Sequence, residues 1–363
     1  MQSTVVPPGG LVLITGVNGF LASHLALQLI QRGYMVKGTV RTAESASWIT
    51  EAIMRRHPTG KFQAVVIPIL SASGVMDDLV KDVDGIAYVA ADTSLNPDPD
   101  QVITPGLEAL KVALQSATQT QSVKRFVLTS SYTAAVDTFV PSAPDALITR
   151  DSWNQTSTPR AWAPPPYDAL RALDVYQSLK TESETLFWKF ASEAKPSFIQ
   201  NSVLPGFVVG PIIHRKQRGS TAALVKAYFD DVTCNQAFAW ISAPWVVDVV
   251  DNALLHLAGL IDEDVQNERL LALAEPFKLG NFARVFEQID PSRSWPAGDN
   301  KHGVKDEGGT KWVADTKRSV AILQRLGQDE GFTPFLESVR RTCLDSDPAW
   351  TFGNFLPKSD SQE

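Results

Sequence analysis

The chain has 363 residues, of which 44% are hydrophobic and 20% are charged, a composition typical of a globular protein with a sizeable core. Its formal net charge of −7 disfavours nucleic acid as a partner, although it permits a local site for one phosphate. The two cysteines, Cys234 and Cys343, and the five scattered histidines lack the spacing of a disulfide framework or a metal site, so we expect neither.

The first forty residues predict a βαβ unit. A buried apolar run at 11–14 predicts a central strand, and a glycine turn follows at 16–19. Residues 20–32 predict a helix that ends before Gly33, and residues 34–40 predict the second strand. This order of elements is the first unit of a dinucleotide-binding domain.

Strands and helices continue to alternate further along the chain. Residues 62–69, 85–91 and 125–129 predict three strands, and residues 105–118 predict a helix with Pro105 near its start. This alternation predicts an α/β protein with a doubly wound parallel sheet, a Rossmann fold.

The second half is less regular. The Pro-, Ser- and Trp-rich residues 141–166 predict a long loop that could act as a lid. Further elements are predicted in order along the chain: a helix at 173–190, a strand at 197–209, a helix within 245–260, a strand at 269–274 and helices at 316–326 and 334–343. We expect a dinucleotide-binding domain at 1–206 and a smaller, mainly substrate-binding region at 207–363, of which about 245–275 packs back on the first domain.

The glycine turn predicts a cofactor site. Its glycines let the backbone turn tightly and let a diphosphate approach the N-terminus of the following helix. The spacing of Gly16 and Gly19 departs from G-x-G, and Ala22 takes the place of the third glycine. The predicted cofactor residues here are Gly16, Val17, Asn18, Gly19, Phe20 and Leu21.

The end of the second predicted strand indicates which cofactor binds. An NAD site needs a carboxylate about twenty residues after the glycine turn, but the chain has Lys37 and Arg41 there. Arg41 can bind a 2′-phosphate with its planar guanidinium, whereas Lys37 fits a solvated charge on the strand. We therefore predict NADP(H) as the cofactor. Glu44 lies slightly further along the chain, and because it is a carboxylate it leaves NAD as an alternative cofactor.

Tyr176 and Lys180 are the candidate catalytic pair. Four residues apart on a helix, they lie on one face, where an ammonium lowers the pKa of a tyrosine acid. Tyr167 and Arg171 repeat this spacing, but beside the proline-rich loop. A serine of the pair Ser130 and Ser131, at the end of the 125–129 strand, can hydrogen-bond a substrate carbonyl, or the pair can satisfy loop backbone groups.

In sum, these motifs resemble the extended short-chain dehydrogenase/reductase family. The most similar branch holds dihydroflavonol and cinnamoyl-CoA reductases and the fungal and yeast NADPH-dependent aldehyde and ketone reductases. The matching stretches follow the family's order over nearly the whole chain, at 15–41, 122–134, 151–154, 176–184, 201–211 and 245–257. The resemblance covers both the glycine turn and the tyrosine–lysine pair.

The resemblance implies roles for individual residues. Ser131 would bind the carbonyl, Tyr176 would be the general acid, and Lys180 would hold the nicotinamide ribose. The segment Pro205, Gly206 and Phe207 would lie against the nicotinamide, and Ser220 after Gly219 would touch a cofactor phosphate. Further cofactor contacts implied by the resemblance are Ala90, Ala91 and Thr129.

The chain departs from the family after the third strand. The family has an aspartate that meets the adenine, whereas this chain has Pro68 and Ile69 there, so we expect weaker cofactor binding. The asparagine of the simpler members' catalytic tetrad has no assigned counterpart. Trp153, Trp162, Phe207 and Trp240 could line an aromatic substrate pocket or belong to the core.

The implied activity is hydride transfer from NADPH to the carbonyl of an aldehyde or ketone. The alternatives are an NAD(P)-dependent epimerase or dehydratase of the same family, and a cofactor-sensing protein without catalysis. The partner would be a small carbonyl compound and the protein a monomer or homodimer. No apolar run reaches the roughly 18 residues of a membrane span, so we expect no membrane contact and a cytoplasmic location.

Overall fold

The fold was obtained as a computed structural model, which describes residues 4–138, 147–217, 220–234, 245–295 and 313–350. The strands in these ranges are β1 (Leu11–Ile14), β2 (Met35–Val40), β3 (Phe62–Val66), β4 (Gly85–Tyr88), β5 (Arg125–Thr129), β6 (Leu147–Ile148), β7 (Ile199–Pro205), β8 (Phe207–Val209), β9 (Trp245–Asp248), β10 (Arg269–Ala272), β11 (Glu275–Pro276) and β12 (Val313–Ala314).

The helices in the same ranges surround these strands. They are α1 (Phe20–Gln31), α2 (Ala43–Arg56), α3 (Pro99–Thr118), α4 (Ser157–Ala161), α5 (Arg171–Ala194), α6 (Thr221–Asp230), α7 (Val249–Ile261), α8 (Leu279–Ile289), α9 (Lys317–Arg325) and α10 (Phe335–Leu344). A 3₁₀ helix, Tyr132–Ala134, follows β5 directly. None of the helices in the described part of the chain is long and apolar enough to cross a membrane.

The central sheet is parallel and doubly wound, which confirms the predicted fold class. Within the described residues it has seven strands in the order β10-β7-β5-β4-β1-β2-β3. One face packs against α1 and α7, where Leu25 and Leu257 share a buried cluster. The other face packs against α3 and α5 through Leu114 and Phe187. Because both faces are covered, β1 consists of apolar residues only and every residue of β4 is buried.

Several predicted boundaries were wrong for local reasons. Helix α3 begins at Pro99, capped by the Asp98 side chain, so Pro105 lies inside the helix and not at its start. Helix α2 was not predicted, although Thr42 caps it by accepting a hydrogen bond from the Ser45 N–H and it buries an apolar face at Trp48, Ile49, Ala52 and Ile53. The strands predicted at 62–69 and 85–91 end three residues earlier, at Val66 and Tyr88.

The strand predicted at 197–209 is two strands in two sheets. The first part, β7, lies in the central sheet, whereas β8 pairs with β9 in a small sheet completed by β11. The chain changes sheet at Gly206, where a Cβ atom would lie 2.5 Å from the carbonyl oxygen of Trp245. Glycine is therefore the residue that permits this close approach.

The predicted long loop at 141–166 contains regular structure in its described part. Strand β6 and helix α4 lie there, and residues 141–146 fall outside the described ranges. Further along, α6, α8 and α10 pack around an aromatic cluster near the small sheet. Its rings belong to Phe207, Tyr228, Phe229, Phe277, Phe282, Phe286, Trp295 and Phe335. The predicted division into two domains stays a prediction.

Candidate active site

The candidate residues gather at one edge of the central sheet. Gly16 follows β1, Arg41 follows β2 and Ser131 lies just after β5. Ala90 lies just after β4, and Gly206 follows β7. Because the carboxyl ends of parallel strands share one edge, residues far apart in the chain meet there, where open α/β sheets bind ligands.

The glycine turn is held against the end of β4. The Thr15 hydroxyl accepts hydrogen bonds from the N–H groups of Val89 and Ala90, at 2.9 and 3.0 Å. Gly16 has φ +66, and a Cβ atom there would lie 3.2 Å from the Ala90 Cβ. Val17 is buried and donates its N–H to the Thr39 carbonyl at 2.9 Å, so its backbone holds the turn against β2.

The N-terminus of α1 suits an anion. Gly19 is its N-cap and supplies no side-chain hydrogen bond, and the first turn carries no acidic residue. The first-turn N–H groups of a helix have no intrahelical acceptor, so they can bind a diphosphate. Asn18, Phe20 and Leu21 are all partly accessible here.

A residue from a distant loop braces this turn. The Gln217 side-chain amide donates to the Ser23 hydroxyl at 2.9 Å and to the Gly19 carbonyl at 3.3 Å. Gln217 was not predicted, because about two hundred residues separate it from the turn and no local pattern marks it.

Arg41 is exposed at the end of β2, next to the start of α2. The carboxylate of Glu44, which left NAD as an alternative cofactor, is bound by the Lys216 ammonium at 2.5 Å. Lys37 is partly buried and donates to the Leu79 carbonyl at 3.2 Å, so it is not the solvated charge that the sequence suggested. Past β3, where the family has an aspartate, Ile69 is 62% exposed.

Ser131 lies beside Tyr176, close enough for its hydroxyl to lower the pKa of the phenol. Thr133 donates its N–H and its hydroxyl to the Ser131 oxygen at 3.3 and 3.0 Å. With its oxygen accepting these two bonds, the Ser131 hydroxyl keeps its own proton to donate. The segment after β5 therefore aims one O–H group at the end of helix α5 that carries Tyr176.

Lys180 lies one helical turn beyond Tyr176. Its ammonium donates to the Thr129 carbonyl at 3.1 Å, and burial lowers the pKa of Lys180 to about 8. The expected lowering of the Tyr176 pKa is not found. Burial of the phenol raises that pKa, and the neighbouring Ser131 hydroxyl acts in the opposite direction with a smaller effect.

Thr129 also contacts a buried histidine of α7. The Thr129 hydroxyl lies 2.7 Å from His256 Nε2, and His256 Nδ1 lies 2.8 Å from the Asn252 carbonyl. Burial lowers the pKa of His256 to about 4, so the ring is neutral near pH 7. Since a carbonyl only accepts, Nδ1 carries the proton and Nε2 accepts from Thr129.

The alternative pair, Tyr167 and Arg171, lies away from the strand ends. Tyr167 is 36% exposed and precedes α5, and the Arg171 guanidinium lies over its ring at 5.1 Å from the centroid. The repeated spacing is therefore used for a cation–π contact near the surface.

The segment expected beside the nicotinamide contributes mainly backbone. Phe207 is buried, with its ring centroid 5.4 Å from that of Phe277, so the side chain belongs to the aromatic cluster. Pro205 is also buried, whereas Gly206 is partly accessible. Ser220 caps α6 by accepting from the Ala223 N–H at 3.1 Å, and Gly219 lies outside the described ranges.

The aromatic residues suggested for a substrate pocket do not come together. Trp153 lies under the Arg269 guanidinium, at 3.9 Å from its ring centroid, and Trp162 is exposed and donates to Glu182 at 2.8 Å. Phe207 is in the core, as described above. Trp240 lies outside the described residues.

The residues present fit a dinucleotide. The Gly16 turn has no room for a Cβ without pressing on Ala90, and the uncapped helix N-terminus offers N–H donors. Residues that would hold the cofactor are Gly16, Asn18, Gly19, Phe20, Leu21, Arg41, Ala90, Ala91, Thr129, Tyr176 and Lys180. Among the described residues, no group of three or more His, Cys, Asp or Glu side chains is placed to hold a metal ion.

Comparison with known proteins points in the same direction. The model of the NAD dependent epimerase/dehydratase family matches residues 12–156. The chain is 43% identical over 343 residues to the NAD-dependent epimerase/dehydratase terH of Aspergillus terreus, covering 93% of this chain and 97% of the relative. It is 34% identical to aldehyde reductase 2 of Sporidiobolus salmonicolor, covering 94% and 97%.

The fold is that of a solved reductase. The structure of yeast methylglyoxal/isovaleraldehyde reductase Gre2 complexed with NADPH superposes with a TM-score of 0.72 at 23% identity, over 92% of this chain and 96% of that one. At this identity the superposition speaks for the fold alone. Since two full-length relatives exceed 30% identity, the chain belongs to the NAD dependent epimerase/dehydratase family, the extended short-chain dehydrogenases/reductases.

Proposed function

We propose that this oxidoreductase of the short-chain dehydrogenase/reductase type is an NADPH-dependent reductase of aldehydes or ketones. The observation that carries the proposal is that Ser131, Tyr176 and Lys180 come together at the end of β5, where the Ser131 hydroxyl lowers the pKa of the Tyr176 phenol and the Lys180 ammonium donates to the Thr129 carbonyl. Lys180 is buried one helical turn away and bonded to the same strand end. Relatives named aldehyde reductase 2 and ketoreductase adrE, of Penicillium rubens, support a carbonyl substrate.

The side chains would bind and protonate the carbonyl oxygen. NADPH, when bound, supplies the hydride. Ser131 donates its O–H to the oxygen and stabilises the charge that develops there. Tyr176 then gives its proton to the oxygen, and the Lys180 ammonium stabilises the phenolate that remains. Because burial raises the Tyr176 pKa, the phenol is fully protonated at neutral pH, the state that a general acid requires.

Replacing the proposed acid tests this function directly. In Tyr176→Phe we expect the turnover of a responsive aldehyde or ketone, followed by NADPH oxidation, to fall by about 10²–10⁴-fold. Tyr167→Phe is the matched control, because it removes the exposed phenol of the alternative pair, and it should keep the parental rate. A Tyr176→Phe protein that reduces its substrate at the parental rate would disprove the assignment.

The cofactor preference rests on Arg41. With no carboxylate at the end of β2 and Glu44 bound by Lys216, the 2′-phosphate would meet a guanidinium and no free acid. In Arg41→Ala we expect the Kd for NADPH to rise about 10–100-fold, since a charge-assisted hydrogen bond contributes about 1.5–3 kcal/mol. The Kd for NADH should change little.

Arg55→Ala is the matched control for this measurement. Arg55 lies on α2, and its guanidinium pairs with Glu51 at the surface. The substitution therefore removes the same positive charge as Arg41→Ala, but away from the end of β2. Equal losses of NADPH and NADH binding in Arg41→Ala would contradict the 2′-phosphate assignment.

A second function is favoured by one observation, the 43% identity to a relative named as an epimerase/dehydratase. Such an enzyme recycles its cofactor, whereas a reductase consumes one NADPH for each carbonyl reduced. Net NADPH oxidation with a simple carbonyl compound separates the two. Absence of turnover together with intact NADPH binding would favour a cofactor-sensing protein. The cytoplasmic location and the monomer or homodimer state stay predictions.

A further inference from the structure

A buried carboxylate lies one helical turn beyond the candidate catalytic pair. Tyr176, Lys180 and Glu184 follow one another at intervals of four residues on α5, so they share one face of the helix. Glu184 is fully buried. A buried carboxylate is costly unless hydrogen bonds and an opposite charge compensate it.

Glu184 is compensated in this way. Its two oxygens accept five hydrogen bonds, from the hydroxyls of Ser130 at 2.9 Å and Ser202 at 2.6 Å, the Trp188 indole at 3.3 Å, and two guanidinium nitrogens of Arg269 at 2.9 and 3.0 Å. The donors come from α5 itself and from β7, β10 and the residue after β5. The carboxylate therefore joins the catalytic helix to the central sheet.

The Ser130 bond places Glu184 beside the proposed catalytic strand end. Ser130 stands between Thr129, whose carbonyl accepts from Lys180, and Ser131, which lies beside Tyr176. A movement of Ser130 would therefore move both of the residues of this strand end that face Tyr176 and Lys180.

Arg269 extends the cluster to a second segment. Its guanidinium donates to the carbonyls of Arg150 at 2.6 Å and Ser152 at 2.7 Å and lies over the Trp153 ring. The Glu184–Arg269 pair therefore holds α5 and the segment around Trp153 to the edge of the sheet.

In the described part of the chain, few ionisable groups face Lys180. Tyr176 and Glu184 are on its own helix, and the α7 residue His256 is neutral. Burial raises the pKa of Tyr132, which follows Ser131, so this phenol is also neutral. The other ionisable groups on elements packed against α5 do not face Lys180. Asp100, Glu108 and Lys111 lie at the surface of α3, and Arg125 lies at the far end of β5. Arg160 forms ion pairs with Asp137 and Asp174.

We propose that Glu184 is a positioning residue that keeps Lys180 charged and holds the Ser131 strand end against Tyr176, with Arg269 as its anchor. This inference deepens the proposed reductase function and rests on it for its catalytic meaning. The effect of Glu184 on the charge of Lys180 does not depend on the proposed function, because it concerns only two side chains of this fold.

The direction of the electrostatic effect follows from the charges. Burial lowers the Lys180 pKa to about 8, and the Glu184 carboxylate acts against this by stabilising the ammonium. Without the negative charge, Lys180 would lose its proton at a lower pH. Reduction needs the ammonium, so the fall in activity as pH rises through the Lys180 pKa would also move to lower pH.

The test compares Glu184→Gln with Arg269→Met. The primary measurement is the titration midpoint of Lys180 in cofactor-free protein, followed by NMR of ¹³C-labelled lysine side chains and assigned with Lys180→Arg. In Glu184→Gln we expect the midpoint to fall by about one pH unit. In Arg269→Met, which breaks the same ion pair but removes a positive charge, the midpoint should stay or rise. Ser202→Ala removes one donor and keeps the charge, so it should leave the midpoint in place.

The outcomes separate the roles. A fall of the Lys180 midpoint in Glu184→Gln, with a midpoint that stays or rises in Arg269→Met, supports the proposal. No fall in Glu184→Gln, or a fall in both variants, overturns it in favour of a structural ion pair. If Glu184→Gln does not fold, the double variant Glu184→Gln/Arg269→Met is used, because it leaves no unpaired buried charge. The Lys180 midpoint must also fall in this double variant.

For an active enzyme, the alkaline limb of the kcat/KM profile should move with the Lys180 midpoint. If the parent reduces no carbonyl compound, the proposed function fails while the titration still decides the link between Glu184 and Lys180.

Discussion

Two buried regions of the molecule are stabilised by different forces. The end of β5 and the face of α5 meet through polar groups, such as Ser130, Glu184 and Arg269, with hydrogen bonds of 2.9–3.0 Å. In the aromatic cluster, rings meet at angles from 7° between Phe229 and Trp295 to 82° between Tyr228 and Trp295.

The difference has a physical reason. A hydrogen bond weakens steeply away from its preferred geometry, so a polar cluster fixes the positions of individual atoms. Apolar burial is non-directional, so packed rings tolerate many angles and stabilise the fold in proportion to the area that they bury. We infer that the polar region determines reactivity and that the aromatic cluster contributes mainly stability.

The largest expected effect is on the aromatic side. Phe286 is fully buried, with its ring centroid 5.1 Å from those of Tyr228 and Trp295. Phe286→Ala should lower the free energy of unfolding by about 3–5 kcal/mol, through lost burial and the cavity left behind. The measurement is the midpoint of denaturant-induced unfolding, together with kcat of the folded fraction, which should change little.

A matched control is Leu336→Ala on α10, where the side chain is half exposed. It should change the free energy of unfolding by less than about 0.5 kcal/mol. If Phe286→Ala kept its stability and lost turnover instead, the proposed separation of roles would be wrong.

A smaller effect is expected on the polar side. Thr133→Val removes the hydroxyl that donates to Ser131 and keeps the shape of the side chain. We expect kcat for carbonyl reduction to fall about 5–10-fold, since one hydrogen bond contributes about 1 kcal/mol and its loss lets the Ser131 hydroxyl turn away. The change in unfolding free energy should stay within about 1–2 kcal/mol.

Thr133→Ser keeps a hydroxyl at this position and should recover most of kcat. A Thr133→Val protein with parental kcat would show that the hydrogen bond to Ser131 does not orient the reactive hydroxyl. If Thr133→Val lowered the free energy of unfolding as much as Phe286→Ala does, the polar region would contribute to stability like the aromatic cluster, and the proposed difference between the two regions would be wrong.

Much of the sheet was predictable from local patterns. The bounds of β1 and β5 match the predicted strands, because short apolar runs between turn signals mark buried parallel strands. The predicted family and fold class are confirmed. The assignment of Ser131, Tyr176 and Lys180 as catalytic residues stays a prediction, although the structure brings them to one strand end.

Other features could not be predicted, for identifiable reasons. The start of α3 was wrong because Pro105 fits an early helix position as well as Pro99 does. The Tyr176 pKa was expected to fall because the sequence shows a neighbouring charge and does not show burial. Glu184 was not singled out, since its partners Ser202 and Arg269 are distant in the chain.

The sequence by itself determined the first βαβ unit, the glycine turn and the spacing of Tyr176 and Lys180, because each depends on neighbours within a few residues. The tertiary structure decided which side chains meet, which charges are buried and where the aromatic residues lie. Hydrogen-bond partners and burial depend on contacts between distant segments, such as those of Glu184 with Arg269 and of Gln217 with the glycine turn, and no local pattern encodes them.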